Sequence, residues 1–381
     1  MLLALSLAAT VMNHSQPTFI TQLQTIITSD PSQAEKLIRS KFKPEDLAVG
    51  ISPYKESTTV LFAIDSPSKA TVQGDNIETN ELQTVGNLQL KIVKLRNCQG
   101  TSIQYIIDRK PTAKSYNLEV YDYTPTCDTP PGGRKGELRD MGELKCTTYP
   151  NTTRHWFIYL PPNLDPNIAY PVLCGTDAQW DRQWQANALE NAARENLIPP
   201  TVGIFIEPGQ DKPGNYSNRS YEYDRLTPDY SNFLLMEIFP VVEKIVKLSP
   251  SPADRATVGI SSGGICGFTS CWERPDQFST VISGVGSFTN IARGESNREG
   301  GHNYPFLIRL TEPKPIRAFL QDGTHDLDNQ FGNWYLGNAQ MSAALKFKNY
   351  DVQWFPGEGF HSSEHLRSVF DKALVWWNGK K

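Results

Sequence analysis

The pattern of apolar residues changes twice along the chain. Over residues 18–47 the apolar positions recur at helical spacing, and Asp30-Pro31-Ser32 interrupts them, so we expect two short helices. From 49 to 122 they fall into short β-branched and aromatic runs bounded by turn residues. The predicted strands are 58–64, 69–73, 88–93, 102–107 and 116–120. Several short strands at this spacing predict a small immunoglobulin-like β-sandwich domain.

The second change follows a proline- and glycine-rich stretch at 123–137, which we expect to be a linker. Beyond it, predicted strands and helices alternate, which is typical of an α/β fold with a mostly parallel central sheet covered on both faces. The strands are expected at 154–160, 170–174, 201–206, 257–260, 280–283, 315–320 and 351–355, and the helices at 184–195, 230–246, 338–347 and 363–377. The expected organisation is a leader or helical segment at 1–48, the β-sandwich at 49–122, the linker, and an α/β domain at 138–381.

Composition narrows the classes of partner. A chain of 381 residues with 39% hydrophobic and 10% aromatic residues is long enough for two domains and apolar enough for a real core. The formal net charge is −4 and no block of lysine and arginine occurs, so we expect no nucleic-acid partner. No apolar run reaches membrane-spanning length, so we also expect no membrane span.

The N-terminal residues and the cysteines are the features of the sequence that indicate a cellular compartment. Residues 1–12 look like the apolar part of a secretory signal, although the basic residues expected before it are missing, and a mature N-terminal helix is the other interpretation. We expect a periplasmic or secreted protein, with a cytoplasmic protein as the alternative. Six cysteines permit disulfides without requiring them, and the sequence contains no C-x-x-C pair of the kind that holds zinc.

A candidate nucleophile stands at the end of a predicted strand. The β-branched run ends in Gly259-Ile260-Ser261-Ser262-Gly263, a G-x-S-x-G pattern, and small residues without proline continue to Trp272. Strand, sharp turn and helix are the context of a nucleophile elbow, which exposes the serine hydroxyl at the end of the strand. The same pattern also occurs in glycine-rich turns that only pack. Partners for Ser261 therefore decide between the two interpretations.

A serine hydroxyl needs a general base that a third group holds in place. Proteins with a nucleophile elbow carry serine, acid and histidine in this chain order, on loops at the carboxyl ends of parallel strands. His361 follows the predicted strand that ends at Phe355, so we expect it to be the base. His361 and His365 also have the i, i+4 spacing of a metal pair, but the other ligands of a zinc motif are missing, and we expect no metal.

The acid is expected in the loop after the predicted strand at 315–320, which carries Asp322, Asp326 and Asp328. We favour Asp326 and keep Asp328 as the alternative. An aspartate in such a loop commonly ends or caps an element, and this must hold for at least two of the three.

The anionic intermediate of ester hydrolysis needs two backbone N–H donors. The amide of Ser262, directly after the candidate nucleophile, is one candidate. The second donor is expected from the 175–180 loop, which follows the predicted strand at 170–174, and its candidates are Ala178 and Gln179.

Five segments together resemble one family. They are Tyr170-Pro-Val-Leu with Asp177-Ala-Gln-Trp180, Asn218-Arg-Ser-Tyr-Glu-Tyr-Asp224, the Ser261 elbow with Glu273-Arg-Pro-Asp-Gln-Phe278, Gly323-Thr-His-Asp326, and Gly357-Glu-Gly-Phe-His361. The set is similar to the esterase D-like α/β-hydrolases, and more narrowly to their enterochelin (ferric enterobactin) esterase branch, over roughly 50–381. The resemblance implies an α/β-hydrolase fold at 138–381 behind the immunoglobulin-like domain, with Ser261, Asp326 and His361 as the triad.

The resemblance also implies substrate contacts. Arg219 would face the substrate and pair with a carboxylate, or with catecholate and amide oxygens, unless it forms a structural ion pair with Glu222 or Asp224. Trp180 would stack on an aromatic acyl group, unless it lies in the core.

The sequence thus predicts a serine carboxylic-ester hydrolase that acts through an acyl-enzyme on a small-molecule ester, of siderophore or feruloyl type, without a cofactor. A non-catalytic binding protein on a hydrolase fold and an acyltransferase are the alternatives. The sequence indicates no oligomeric state.

Overall fold

The computed structural model describes residues 17–75, 77, 81–212, 214–216, 218–292 and 300–379. The expected export segment at 1–12 lies outside these residues. The chain forms two compact units. One contains the described residues up to Leu95 together with Ser102–Tyr116, and the other contains Arg96–Thr101 together with the residues from Asn117 onward.

The first unit combines three short helices with antiparallel sheets. The helices are α1 (Phe19–Ile26), α2 (Pro31–Lys41) and α3 (Pro44–Val49). The strands are β1 (Tyr54–Glu56), β2 (Thr59–Ile64), β3 (Ala70–Gly74), β4 (Gln83–Val85), β5 (Leu88–Lys94), β6 (Gln99–Ile107) and β7 (Lys110–Val120). They form a four-stranded sheet of order β1-β2-β5-β4 and a three-stranded sheet of order β3-β6-β7, whose strands β6 and β7 extend into residues of the second unit.

The second unit is built on one eight-stranded sheet of order β17-β14-β13-β12-β10-β11-β9-β8. Its strands, with a small hairpin (β15 and β16), are β8 (Glu137–Lys145), β9 (Thr153–Leu160), β10 (Val172–Gly175), β11 (Val202–Ile206), β12 (Arg255–Ile260), β13 (Thr280–Gly284), β14 (Arg317–Gly323), β15 (Asp328–Asn329), β16 (Gly332–Asn333) and β17 (Val352–Gly357). The pairs from β17 to β11 are parallel, whereas β9 pairs antiparallel with both β11 and β8. The predicted α/β fold is confirmed, with a sheet that is mixed at one end.

Helices connect these strands. They are α4 (Ala178–Arg194), α5 (Arg219–Tyr223), α6 (Asp229–Phe233), α7 (Phe239–Val242), α8 (Ser262–Glu273), α9 (Tyr304–Leu310), α10 (Trp334–Phe347), α11 (Glu364–Ser368) and α12 (Phe370–Asn378). Successive strand residues enter different apolar clusters: Ala318 and Leu320 belong to one, and Phe319 to the other. Because successive side chains of a strand point to opposite faces, the two clusters cover the two faces of the sheet. No helix in the described part of the chain has the length and apolar character that crossing a bilayer requires.

Two predicted helices are divided in the structure. The expected helix 230–246 consists of α6, a π-helical turn at Leu234–Ile238, and α7. Pro240 explains the break, because proline donates no backbone hydrogen bond and disturbs the turn before it. The expected closing helix 363–377 is divided at Val369, whose φ of −122° leaves the helical range.

The stretch expected as a linker is held against α4. The side-chain amide of Asn191 donates to the carbonyls of Thr126 and Asp128, at 2.9 Å each. The carboxylate of Glu190 accepts the backbone amides of Lys135 and Gly136, at 2.6 and 2.9 Å. These side chains satisfy backbone groups of a segment rich in proline and glycine, which has few regular partners of its own.

Candidate active site

Ser261 occupies a strained turn between β12 and α8. Its φ of 60° and ψ of −123° lie where residues other than glycine are rarely found. A Cβ on Gly259 would lie 2.2 Å from the backbone carbon of Gly263, so only glycine fits there. The turn therefore has the tight geometry that the G-x-S-x-G pattern predicts.

Parallel strands bring the other candidate loops to the same edge of the sheet. In register, Gly175 of β10 pairs with Val258 of β12, and Gly323 of β14 pairs with Gly357 of β17. Since β10, β12, β14 and β17 run in the same direction, the loops after them share one edge.

The hydroxyl of Ser261, the ring of His361 and the carboxyl of Asp326 form one hydrogen-bonded series. His361 Nε2 lies 2.8 Å from Ser261 Oγ, and His361 Nδ1 lies 2.5 Å from Asp326 Oδ1. The side chain of Asp326 is fully buried, whereas that of His361 is 24% exposed. General-base activation of a serine needs this arrangement, in which a buried carboxyl holds a ring that contacts an accessible hydroxyl.

The other two carboxyls of the loop lie elsewhere. Asp328 is exposed at the start of the β15–β16 hairpin. Asp322 is fully buried, and it accepts hydrogen bonds of 2.6 Å from the Gly323 amide and from Asn338 Nδ2. Burial raises the pKa of Asp322 well above its ordinary value, and the neighbouring Asp326 raises it further.

The three candidate amides for an anionic oxygen lie at the N-termini of two helices. Ser262 is the first residue of α8, and Ala178 and Gln179 begin α4. The first amides of a helix have no intrahelical acceptor and attract negative charge. The 175–180 segment was expected to be a loop, but α4 begins at Ala178, because Asp177 makes the turn in the left-handed region with φ 54° and ψ 44°.

Arg219 binds Asp177, so the suggested ion pair with Glu222 or Asp224 was wrong. Its Nε lies 2.7 Å from Asp177 Oδ1 and its Nη2 lies 2.8 Å from Asp177 Oδ2. Nη2 is also 3.4 Å from the carbonyl oxygen of Ile260, directly before Ser261. Burial lowers the pKa of Arg219, but the hydrogen bonds and charge of Asp177 outweigh it, and the net shift is upward.

Glu222 pairs with Arg154 instead of with Arg219. Arg154 of β9 donates to both of its carboxylate oxygens, at 2.5 and 3.0 Å, in a fully buried ion pair.

The ring of Trp180 is 63% exposed, so it is not a core residue. The Trp180 ring lies 6.1 Å from the ring of Tyr216 and 6.0 Å from the guanidinium of Arg219.

Sequence reasoning missed two pairs of residues at this edge. Ser287, in the loop after β13, has its Oγ 3.2 Å from Ser261 Oγ and accepts from Trp334 Nε1 at 3.1 Å. Neither residue belongs to a recognisable motif, so no sequence signal identified them.

The second missed pair holds the loop around His361. Glu119, at the end of β7, accepts from the Phe360 amide at 3.0 Å and from the Ser362 hydroxyl at 2.6 Å. Tyr121 donates to the same carboxylate at 2.8 Å. The pattern around residues 116–120 predicted only a strand of the β-sandwich.

A central α/β sheet with a strained serine turn, and with a histidine and an acid on later loops, defines the α/β-hydrolase class. A family model described as "Putative esterase" matches residues 147–354, more than half of the chain. The chain therefore belongs to this esterase family and is a carboxylesterase. A search of curated proteins gave no match.

Solved structures confirm the resemblance at the level of the fold. The enterobactin esterase of Shigella flexneri, solved in the presence of 2,3-di-hydroxy-N-benzoyl-serine, is 16% identical with a TM-score of 0.61, over 86% of this chain and 96% of that one. The ferric enterobactin esterase of Salmonella typhimurium is 15% identical with a TM-score of 0.60, over 85% and 95%. A ferulic acid esterase of Anaeromyces mucronatus is 18% identical with a TM-score of 0.50, over 64% and 91%.

Proposed function

We propose that this carboxylesterase works as a serine hydrolase, with Ser261 as nucleophile, His361 as general base and Asp326 as the acid that orients the base. The observation that carries the proposal is the 2.8 Å contact between Ser261 Oγ and His361 Nε2, continued at 2.5 Å from His361 Nδ1 to Asp326 Oδ1. The proposed chemistry needs no metal and no cofactor.

In the first half-reaction, Ser261 Oγ bonds to the ester carbonyl carbon while its proton moves to His361 Nε2. The carbonyl π electrons move to the oxygen, and the amides of Ser262 and of Ala178 or Gln179 stabilise that charge. The intermediate then collapses, the bond to the alcohol oxygen breaks, and His361 returns the proton to the departing alcohol. Asp326 accepts from Nδ1 throughout and stabilises the transient imidazolium.

The second half-reaction repeats these steps with water. His361 takes a proton from water as the water oxygen bonds to the acyl carbon. Collapse breaks the bond to Ser261 Oγ, which regains a proton from His361, and the carboxylic acid leaves. Each half therefore starts from a neutral His361, whose Nε2 has a free lone pair for the proton.

For the substrate, we propose an ester with an aromatic acyl group, of siderophore or feruloyl type, bound near Trp180 and Arg219. The exposed Trp180 ring, with Tyr216 beside it, suits stacking on such a group. Two nitrogens of Arg219 already bind Asp177, so the remaining Nη1 would meet an oxygen of the substrate.

We further propose that β1–β7 form the immunoglobulin-like module expected from the sequence and take no part in bond cleavage. Support comes from antiparallel pairing in both sheets and from the lack of histidine between residues 49 and 122.

Ser261→Ala should abolish turnover, because it removes the atom that forms the acyl-enzyme. We expect a loss of at least about 10⁴-fold in kcat, measured on p-nitrophenyl and feruloyl esters and on a ferric trilactone siderophore. A fluorophosphonate probe should label the wild type at Ser261, identified by peptide mass spectrometry, and should not label the variant.

Ser270→Ala is the matched control, since Ser270 is a buried serine of α8 whose hydroxyl donates to the helix carbonyl of Cys266, at 2.9 Å. Wild-type turnover in Ser261→Ala would reject the proposal. Absence of both labelling and turnover in the wild type would favour a binding protein, and ester products formed with an added alcohol would identify an acyltransferase.

A further inference from the structure

Ser261 has a second hydroxyl neighbour besides the ring of His361. Ser287 Oγ lies 3.2 Å from Ser261 Oγ, and Trp334 Nε1 lies 3.1 Å from Ser287 Oγ. Ser287 and Trp334 are 1% and 2% exposed, so bulk water does not compete for these contacts. The five side chains from Trp334 through Ser287, Ser261 and His361 to Asp326 form one continuous series.

Backbone strain brings Ser287 to this position. Val285, two residues earlier, has a φ of 43°, a conformation in which a β-branched residue is a genuine outlier. The amide of Ser287 donates to the Ser261 carbonyl at 3.0 Å, and the amide of Ser261 donates to the Gly284 carbonyl at 2.9 Å. The two turns are thus tied together, and strain of this kind persists where the surroundings over-determine a functional geometry.

The two ends of the series fix the direction of every hydrogen bond in it. An indole N–H only donates, so Ser287 Oγ accepts from Trp334. In the proposed mechanism the Asp326 carboxylate accepts from the Nδ1 of His361, so Nδ1 carries the proton and Nε2 accepts from Ser261. Because the one proton of Ser261 is directed at His361, the proton in the 3.2 Å contact comes from Ser287.

We propose that Ser287 is a further catalytic residue, a hydroxyl that donates to the oxygen of the Ser261 nucleophile, and that Trp334 is the positioning residue that orients it. This inference rests on the proposed function, because it assumes that Ser261 attacks the substrate.

The donated bond helps both half-reactions. As Ser261 loses its proton to His361, negative charge grows on Oγ, and a hydrogen bond to a charged acceptor is stronger than one to a neutral acceptor. The same charge returns when Ser261 Oγ leaves the acyl group in the second half. The Ser287 donor therefore stabilises the transition state of each step more than the ground state, which is the requirement for acceleration.

The decisive experiment compares Ser287→Ala, Trp334→Phe and the double variant in the full-length protein. Ser287→Ala should lower kcat and the rate of Ser261 phosphonylation by a fluorophosphonate by about 10- to 100-fold, with little change in KM. Trp334→Phe keeps an aromatic ring beside His361 but frees the Ser287 hydroxyl to turn, so it should lower both rates by less. The double variant should match Ser287→Ala, because the indole N–H that phenylalanine lacks acts only through Ser287.

Controls separate this role from packing. Ser287→Thr keeps the hydroxyl and should restore much of the phosphonylation rate, and Ser270→Ala should leave it unchanged. If circular dichroism shows that Ser287→Ala does not fold, the phosphonylation rates of Trp334→Phe and Ser287→Thr test the role of the Ser287 hydroxyl instead. Phosphonylation and turnover as fast in Ser287→Ala as in Ser270→Ala, or additive losses in the double variant, would overturn the inference. Turnover persisting in Ser261→Ala would instead remove the proposed function, so the two failures are distinguishable.

Discussion

Three aspartates that were expected in one loop, four and two residues apart, have three different environments: Asp322 lies in β14, Asp326 follows β14, and Asp328 begins β15. Asp328 is exposed, Asp326 bonds to His361, and Asp322 is fully buried with a raised pKa. Sequence order confined the acid to this loop but left Asp326 and Asp328 both open. The choice depends on burial and on the direction of each side chain, which spacing along the chain does not determine.

We expect Asp322 to act on Asp326 as a neutral hydrogen-bond donor. The Oδ2 atom of Asp326 is buried, and no N–H or hydroxyl of the described residues donates to it. Burial raises the pKa of Asp322, and the hydrogen bond and the charge of Asp326 raise it further, so we expect Asp322 to keep its proton and to direct it at Asp326. The proton on Asp322 therefore keeps Asp326 available as the acceptor for His361.

Asp322→Asn and Asp322→Ala should separate this role from simple packing. Asparagine keeps a donor toward Asp326, so kcat should stay within about tenfold of wild type, whereas alanine leaves Oδ2 unsatisfied and should cost more than that. Steady-state kinetics on one neutral ester, with melting temperatures as a check on folding, measure the difference. Equal kcat for both variants would contradict the assigned role.

At the scale of elements, the short helix α5 connects the strand ends of β10 and β12. Arg219, its first residue, binds the Asp177 carboxylate ahead of α4 and reaches the Ile260 carbonyl ahead of α8. Asp177 is 1% exposed, and its unpaired negative charge would oppose charge on a reacting carbonyl oxygen nearby. The guanidinium neutralises that charge and fixes the left-handed turn before Ala178.

Arg219→Lys should therefore lower kcat on an uncharged ester. Lysine keeps the charge but loses the two-pronged contact, and displaced amide donors at the start of α4 should cost about tenfold in kcat with a small change in KM. Arg225→Lys is the matched control, because Arg225 stacks on the exposed ring of Tyr221, 4.5 Å away. A change confined to the KM of anionic esters would show that Arg219 contacts substrate only.

The sequence predicted those elements whose conformation is set by residues within the element itself. The strand and helix around Ser261 were predictable because glycine spacing, β-branched residues and the lack of proline all act within a few residues. The start of α4 was not, because the left-handed turn at Asp177 depends on an arginine 42 residues away in sequence. Ser287 was missed for the same reason, since its contact with Ser261 follows from the order of β12 and β13 in the sheet.

At the scale of the whole molecule, a buried histidine links folding stability to pH. Burial lowers the pKa of His365 to about 4, and Lys372 adds to the shift. Its ring stacks on Tyr121 at 4.6 Å, and Nδ1 lies 3.0 Å from Gln321 Nε2. Between about pH 6.5 and pH 4 the unfolded chain binds a proton at this position while the folded chain does not, so acidification favours unfolding across that range.

His365→Gln should weaken this dependence. The free energy of unfolding of the wild type should fall more steeply between pH 7 and pH 4 than that of the variant, by up to about 3 kcal/mol at the acid end. Urea titrations at several pH values measure the two slopes, with His155→Gln, an exposed histidine on β9, as the control. Parallel slopes for wild type and His365→Gln would contradict a buried, neutral imidazole.

The contacts of the Glu119 carboxylate limit how far the protein can be truncated from its N-terminal side. This carboxylate holds both neighbours of His361, and it belongs with Arg96–Thr101 to the same compact unit as the large sheet. A gene fragment starting at residue 138 would encode Ser261, Asp326 and His361 but not the group that anchors the histidine loop. Shortened versions should therefore be designed around residues 96–101 and 117–137, by trimming other segments, instead of by removing everything upstream of the sheet.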